Sequence, residues 1–170
     1  NYSKKDIENE VKKLLGIEKV IWLKKGLFED KSTDGHVDCV AEYLAPGKIL
    51  IQTIYDKANP NFEILNENHK IIKEETDASG NKLEIIEMPY LPYFSKKYKG
   101  NVYTSPYTNY YVANNVLMVP EVDASLDAKA YKIIEQIYPK RKLIPTPSYY
   151  QAIGGGGIED APQDGQEYTR

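Results

Sequence analysis

The sequence contains a single cysteine, Cys39, among its 170 residues, and only two histidines, His36 and His69. One cysteine cannot close an internal disulfide, so a small secreted scaffold held together by disulfides is excluded. The same scarcity, with the lack of a recognisable signal peptide, predicts a reducing, cytoplasmic location. It also leaves few ligands for a metal site of the usual nitrogen and sulfur type.

Long apolar runs and a strong net charge are missing as well. The clearest apolar runs, Val20–Leu23 and Ile49–Ile51, are strand-sized, whereas a membrane-spanning helix needs about 18 residues. The net charge of −3 and pI near 5.5 argue against nucleic acid or an anionic membrane as the main partner, and they favour cationic ligands. The composition, 41% hydrophobic and 28% charged, is typical of one soluble globular domain.

Hydrophobic spacing and turn residues predict an alternation of helices and strands. A capping box at Ser3–Asp6 begins a first helix, which Gly16 ends. The other predicted helices are Val37–Leu44, the stretch from Asn59 to about Glu75, and Asp127–Tyr138. The predicted strands are Val20–Leu23, Lys48–Ile54, Leu83–Met88, Asn109–Ala113, Val116–Val119 and Lys142–Ile144. A long tyrosine-rich loop is predicted from Tyr90 into the strand that begins at Asn109.

An internal similarity relates two parts of the chain. The stretch Tyr43–Ile51 aligns with Tyr111–Val119, and in each copy a turn and strand are followed by a helix, a lysine-rich turn and a short strand. A unit of strand, turn, strand, helix and strand that occurs twice predicts a modular α/β fold.

The residues with the most chemical potential are His36, Asp38 and Cys39. A histidine two residues from a carboxylate can serve as acid or base beside an anchor for a cation. The alternative is an Asp-Gly turn in which His36 caps a helix. A metal site is conceivable, since all three are ligand types, but no second His or Cys cluster completes it. The simplest interpretation of Cys39 is a buried, unreactive thiol.

Two further stretches are candidates for the same site. Asn109 could hydrogen-bond a guanidino or amide group, although ordinary turn chemistry explains it equally well. The glycine run 154–157 allows close backbone approach and can place the next side chain in a cleft. It is not a phosphate-binding loop because no Lys-Ser/Thr follows, and its alternative role is a linker.

Taken together, four segments resemble the agmatine deiminase and bacterial-type peptidylarginine deiminase family. They are Gly35-His36-Val37-Asp38, Tyr43-Leu44-Ala45-Pro46, Pro106-Tyr107-Thr108-Asn109 and Gly154-Gly155-Gly156-Gly157-Ile158. The resemblance runs from about Gly16 to Ile158 and fits only the carboxy-terminal half of a family enzyme. It implies a pentein-type α/β fold, a ring of five ββαβ modules, of which this chain would form about half. The first residue, Asn1, likewise predicts a fragment or a processed product.

The resemblance also implies a reaction. Family enzymes hydrolyse a guanidino group to a ureido product plus ammonia, through attack by a cysteine thiolate and without metal or cofactor. On this basis His36 would be the acid/base, Asp38 a guanidinium anchor and Asn109 a lining residue, with Gly156 and Gly157 in the substrate loop. The expected ligand is agmatine, another small guanidino compound or an arginine peptide. The missing half or a second copy of the chain is the expected partner.

The last glycine motif departs from the family pattern. The family reads Gly-Gly-Gly-Ile-His-Cys, whereas this chain reads Gly-Gly-Gly-Ile158-Glu159-Asp160, so Asp160 stands at the nucleophile position. A carboxylate is a much weaker nucleophile toward guanidinium and would more naturally pair with it. We therefore expect a deiminase-like domain over residues 1–158 and a divergent polar tail over 159–170. The alternative is a non-catalytic guanidino-binding or protein-interaction α/β module.

Overall fold

The computed structural model describes residues 2–30, 34–90, 97–103, 105–154 and 156–160. The helices are α1 (Lys4–Leu15), α2 (Phe62–Glu74), α3 (Asp127–Ile137) and α4 (Tyr149–Gly154), and a 3₁₀ turn covers Ile158–Asp160. The strands are β1 (Ala41–Ala45), β2 (Lys48–Thr53), β3 (Glu84–Pro89), β4 (Lys97–Tyr98), β5 (Asn101–Val102), β6 (Tyr111–Val112), β7 (Val116–Glu121) and β8 (Lys142–Pro147). Among the described helices, none is long and apolar enough to cross a membrane.

Two copies of one module make up most of the chain. In the first, β1 and β2 form an antiparallel hairpin, α2 crosses over, and β3 returns parallel to β2. In the second, β6, β7, α3 and β8 repeat this order and these directions. A parallel return needs a long crossover, which the helix supplies in each copy. The repeated unit predicted from the sequence is thus confirmed.

The core joins the two modules. Leu50 of β2 and Met88 of β3 pack in one apolar cluster with Leu117 of β7 and Ile134 of α3, and all four side chains are fully buried. Ile51, the next residue along β2, faces the opposite way into a second cluster beneath α2. Strand β2 is therefore covered on both faces, and the loops that precede β1 and β6 are held close together.

The predicted helix Val37–Leu44 is wrong, because only one turn forms there. The N–H groups of Val40 and Ala41 both donate to the carbonyl of Val37, at 2.8 Å each. The chain then enters β1, where Ala41 pairs with Ile51. Pairing with β2 satisfies the backbone groups of this segment, and the short apolar pattern fits a strand as well as a helix.

The predicted strand Val20–Leu23 is also absent. The chain just after this stretch is instead bonded by asparagine side chains from α2 and from the residue before it. Asn68, fully buried, accepts from the Lys24 N–H (3.2 Å) and donates to the Lys25 carbonyl (2.8 Å). Asn61, also fully buried, accepts from the Phe28 N–H at 2.7 Å. These side chains satisfy backbone groups that a strand would have paired in a sheet.

Candidate active site

A turn just before β1 carries His36 and Asp38. It begins where the backbones of Gly26 and Gly35 meet so closely that a Cβ on Gly26 would overlap the Cα of Gly35. Gly35 has a φ of 105°, a conformation that favours glycine. Beyond this contact, the His36 N–H donates to the Asp30 carboxylate at 2.8 Å. Two glycines and one hydrogen bond therefore fix where the next side chains lie.

His36 and Asp38 form a pair at the surface of the site. His36 Nδ1 lies 3.2 Å from Asp38 Oδ1, and the two side chains are 62% and 45% exposed. The remaining ring nitrogen of His36 is therefore available to a ligand, and the exposure allows one to approach. A histidine held by a carboxylate in this way can take up or release a proton.

Asn109 reaches the same place from the second module. Residues 105–110 are all buried, and the Asn109 N–H donates to the Pro106 carbonyl at 3.0 Å to close a turn. This turn directs the Asn109 side chain at Asp38, whose Oδ2 accepts from Asn109 Nδ2 at 3.3 Å. The structure thus brings together all three residues that the sequence predicts to be catalytic.

Glu159 completes the cluster and was missed by the sequence interpretation. Its Oε1 also accepts from Asn109 Nδ2, so that one amide bridges the carboxylates of Asp38 and Glu159. The 3₁₀ turn that holds Glu159 is anchored by Ile158, which is 1% exposed and packs on β6 and β7. The Glu159 carboxylate folds back onto Gly157, where a Cβ would overlap it. The signal available in the sequence was the glycine run itself, which can place the next side chain in a cleft.

The substrate-loop role of Gly156 and Gly157 stays a prediction. The Gly156 N–H donates to the Gln151 carbonyl at 3.2 Å, which ties the glycine run to the end of α4. Gly155 and residues 161–170 lie outside the described residues. Asp160 ends the 3₁₀ turn, and its side chain also lies outside them, so the nucleophile position and the polar tail stay predictions.

Cys39 lies in the site but is a poor nucleophile. Its Sγ is 3.8 Å from Asp38 Oδ2. Burial, reinforced by the negative charges of Asp38, Glu159 and Asp30, raises the pKa of the Cys39 thiol from 9.0 to about 12, despite a hydrogen bond from Asn109. Almost none of this thiol is ionised near neutral pH, and only the thiolate attacks carbon effectively.

A fourth carboxylate, Glu42 on β1, lies at the back of the site. Burial raises the pKa of Glu42 from 4.5 to about 7; the charge of Glu159 adds to the increase, and a hydrogen bond with Tyr110 opposes it. The Tyr110 and Tyr138 hydroxyls are 3.0 Å apart, and burial raises the pKa of Tyr110 strongly. Among the residues that the structure describes, no three His, Cys, Asp or Glu side chains are grouped to hold a metal ion.

Fold and site together define the class of protein. Repeated ββαβ modules, with acidic side chains and a histidine gathered between two of them, make this a pentein-type α/β protein. The sequence model of the Porphyromonas-type peptidyl-arginine deiminase family matches residues 1–163. The chain therefore belongs to that family, and the resemblance drawn from its motifs is confirmed.

Individual relatives agree with this assignment. A Latilactobacillus sakei protein assigned as an agmatine deiminase is 35% identical over 92% of this chain and 47% of its own length. An agmatine deiminase of Medicago truncatula is 30% identical over 91% of this chain and 46% of its own length. The solved structure of the Enterococcus faecalis agmatine deiminase, 25% identical, superposes with a TM-score of 0.84 over 93% of this chain and 47% of that one. The chain spans about half the length of the curated relatives that it matches; that this is the carboxy-terminal half stays a prediction from the order of the motifs.

Proposed function

We propose that this chain forms the guanidinium-binding side of a guanidino-group deiminase. The observation that carries the proposal is the pair of carboxylates, Asp38 and Glu159, bridged by one amide beside the exposed His36. A guanidinium is planar, carries five N–H donors when substituted once, and pairs well with two carboxylates because each can accept in the plane. The formal net charge of −3 also favours a cationic ligand.

In this proposal each residue has one role. Asp38 and Glu159 accept hydrogen bonds from the guanidinium nitrogens and hold its plane. A nucleophile adds to the guanidinium carbon, and His36, oriented by Asp38, gives a proton to the departing nitrogen, so that the C–N bond breaks and ammonia leaves. Water then adds to the same carbon and displaces the nucleophile, which gives the ureido product. Agmatine is the favoured substrate, because the named relatives are agmatine deiminases, and an arginine side chain in a peptide has the same reacting group.

The covalent step needs a nucleophile that Cys39 does not supply readily, because its pKa is about 12. This observation favours a second candidate function, in which the chain binds a guanidino group without hydrolysing it. In the first function the five-module ring is completed by further polypeptide or by a second copy that pairs with the strands at the sheet edges, β1, β3, β6 and β8.

Binding is tested by calorimetric titration of the chain with agmatine, an N-acetylarginine amide and putrescine, which has no guanidino group. We expect agmatine to bind, putrescine to bind much more weakly, and Asp38→Asn to reduce the agmatine affinity by about tenfold or more, since charge-assisted hydrogen bonds contribute about 1.5–3 kcal/mol. Asp56→Asn is the matched control, because Asp56 is an exposed carboxylate on the loop after β2 and its side chain accepts from the nearby Ala58 N–H. Equal binding of putrescine and agmatine would contradict a guanidino site.

Turnover separates the two candidate functions. Ammonia release from agmatine, followed by a coupled enzymatic assay, would support the deiminase and should be abolished in His36→Ala. Agmatine binding without ammonia release, when the ring is completed by further polypeptide or a second copy, would instead support the non-catalytic guanidino-binding function. Ammonia release that is unchanged in His36→Ala would contradict the role of His36 as the proton donor.

A further inference from the structure

Behind Asn109 lies a row of two buried polar side chains, Gln52 and Thr108, that the proposed reaction does not use. Gln52, near the end of β2, is fully buried, and Thr108 is only 5% exposed. We propose that Gln52 and Thr108 are positioning residues: they fix the direction of the Asn109 amide, which in turn holds Asp38 and Glu159 together as a pair. This inference rests on the proposed function for its effect on the ligand, but the hydrogen-bond row itself can be tested without one.

One end of the row is fixed by a backbone carbonyl. Gln52 Nε2 donates to the carbonyl oxygen of Cys39 and to Thr108 Oγ1, the latter at 3.4 Å. A carbonyl oxygen can only accept, so the amide nitrogen of Gln52, and not its oxygen, must face Cys39. The Thr108 hydroxyl therefore receives a hydrogen bond from Gln52, and its own hydrogen is directed elsewhere.

The other end is fixed by the carboxylates. Asp38 and Glu159, when ionised, also can only accept, so Asn109 must turn its Nδ2 toward them. Its Oδ1 then faces Thr108 Oγ1 at 3.3 Å and accepts the hydroxyl hydrogen. Every donor in the row consequently points the same way, from β2 toward the carboxylates, and no member can reverse without losing a bond at one end.

The row explains why two negative groups lie so close together. Two carboxylates that share one site repel each other, and a donor between them offsets this repulsion. Asn109 keeps its amide nitrogen between the two carboxylates while Thr108 holds its oxygen. The Asn109 oxygen already accepts from Thr108, so Asn109 affects a ligand by positioning Asp38 and Glu159.

The two ends of the Gln52 amide differ in their bonding. Its Nε2 satisfies the Cys39 carbonyl and reaches Thr108, whereas its Oε1 is buried and accepts no hydrogen bond from any residue that the structure describes. A buried acceptor without a donor destabilises the fold. The glutamine is explained if its donor is required, because only the nitrogen end makes hydrogen bonds with the described residues.

Nuclear magnetic resonance of the ligand-free chain tests the row directly, through water exchange of the Asn109 side-chain amide protons. In the unmodified chain we expect these protons to exchange about tenfold or more slowly than those of a free amide. The reason is that exchange then requires local opening, which breaks the hydrogen bonds of the row. Thr108→Val, which keeps the shape and removes the hydroxyl, should abolish the slowing, whereas Thr108→Ser should retain it. Thr53→Val is the matched control, since Thr53 lies beside Gln52 and loses a comparable bond, 3.4 Å to the Met88 carbonyl.

The outcomes are distinguishable. Free exchange in the unmodified chain, or unchanged slow exchange in Thr108→Val, would overturn the row, and the first of these needs no variant to fold. If the row is present and agmatine binds, Thr108→Val should weaken agmatine binding by about tenfold while Thr108→Ser and Thr53→Val do not. Equal agmatine affinity in Thr108→Val would overturn the positioning role. A protected amide with no agmatine binding in any variant would contradict the proposed function and leave the row supported.

Discussion

The substitution Glu42→Gln should stabilise the chain at pH 8 and leave its stability unchanged near pH 4. Burial raises the pKa of Glu42 from 4.5 to about 7 in the folded chain, and the nearby charge of Glu159 adds to this. Below pH 4.5 the side chain is protonated whether the chain is folded or unfolded, so it contributes nothing to the pH dependence. Between pH 4.5 and 7 folding requires uptake of a proton, and the free energy of unfolding falls as the pH rises.

The size of the effect follows from the difference between the two pKa values. A change from 4.5 to about 7 corresponds to about 3 kcal/mol, at about 1.4 kcal/mol for each tenfold change in acidity. Glutamine keeps the shape and the hydrogen-bonding partner Tyr110 while removing the charge. The free energy of unfolding of Glu42→Gln should therefore exceed that of the unmodified chain by up to about 3 kcal/mol above pH 7.

Urea unfolding at several pH values between 4 and 8 measures this difference. Glu84→Gln is the control, because Glu84 is a glutamate on β3 whose side chain is 65% exposed and pairs with Lys48. It should change the free energy of unfolding far less than Glu42→Gln at every pH. A Glu42→Gln variant whose unfolding free energy runs parallel to that of the unmodified chain from pH 4 to 8 would refute the reasoning.

Three more predictions concern other parts of the chain. The pKa of Cys39 is about 12 in the folded chain rather than 9.0, so at pH 8 its reaction with iodoacetamide should be roughly a thousandfold slower in the folded than in the unfolded chain. Mass spectrometry follows the reaction, and equal rates would contradict the burial of Cys39 among carboxylates. Asn68→Leu should lower the free energy of unfolding by about 1–3 kcal/mol, since the Lys24 N–H and the Lys25 carbonyl both lose their partner. Asn66→Ala on the same helix should cost about 1 kcal/mol or less in urea unfolding. Gly26→Ala should lower the melting temperature strongly, because its Cβ has no space, while Gly154→Ala, with nothing near its Cβ, should not; equal melting temperatures would rule out the tight glycine contact.

Local signals in the sequence predict those parts of the fold that short-range physics determines. The capping box of Ser3 and Asp6 forms as expected, and Gly16 ends α1 in a left-handed conformation. Helices α2 and α3 follow the apolar spacing, and the similarity of the stretches around Tyr43 and Tyr111 reflects the two modules. Each of these features depends on residues close in sequence or on repetition of a pattern.

The two segments whose structure is predicted wrongly depend instead on residues that are distant in the sequence. Val20–Leu23 has a strand-like composition, but the backbone that follows it is satisfied by Asn61 and Asn68, which lie more than thirty residues away. Val37–Leu44 becomes a turn and a strand because β2 offers a partner, and eight residues do not distinguish the two periodicities. Contacts with residues far away in the sequence decide the structure of both segments, and the pattern within each segment does not reveal those contacts.

The site residues likewise fall into two groups, those that belong to a local motif and those that do not. His36, Asp38 and Asn109 carry recognisable motifs, and the structure places them together. In the sequence Glu159 stands out only as the residue at the position of the family's histidine, and Glu42 looks like an ordinary surface carboxylate. Their place in the site comes from the Asn109 amide that donates to Glu159 and from the burial of Glu42 beside Tyr110, which only the folded arrangement creates.

The distances along the chain between bonded site residues have a consequence for folding kinetics. Lys48 pairs with Glu84 and Val116 with Lys142, so each module closes through contacts that are nearer in sequence than those of the site. Asn109 bonds Asp38 across 71 residues and Glu159 across 50. Contacts between distant residues require larger loops to close and so tend to form late. The cluster of His36, Asp38, Asn109 and Glu159 should therefore assemble last, and a chain with one folded module would retain secondary structure but lack this cluster.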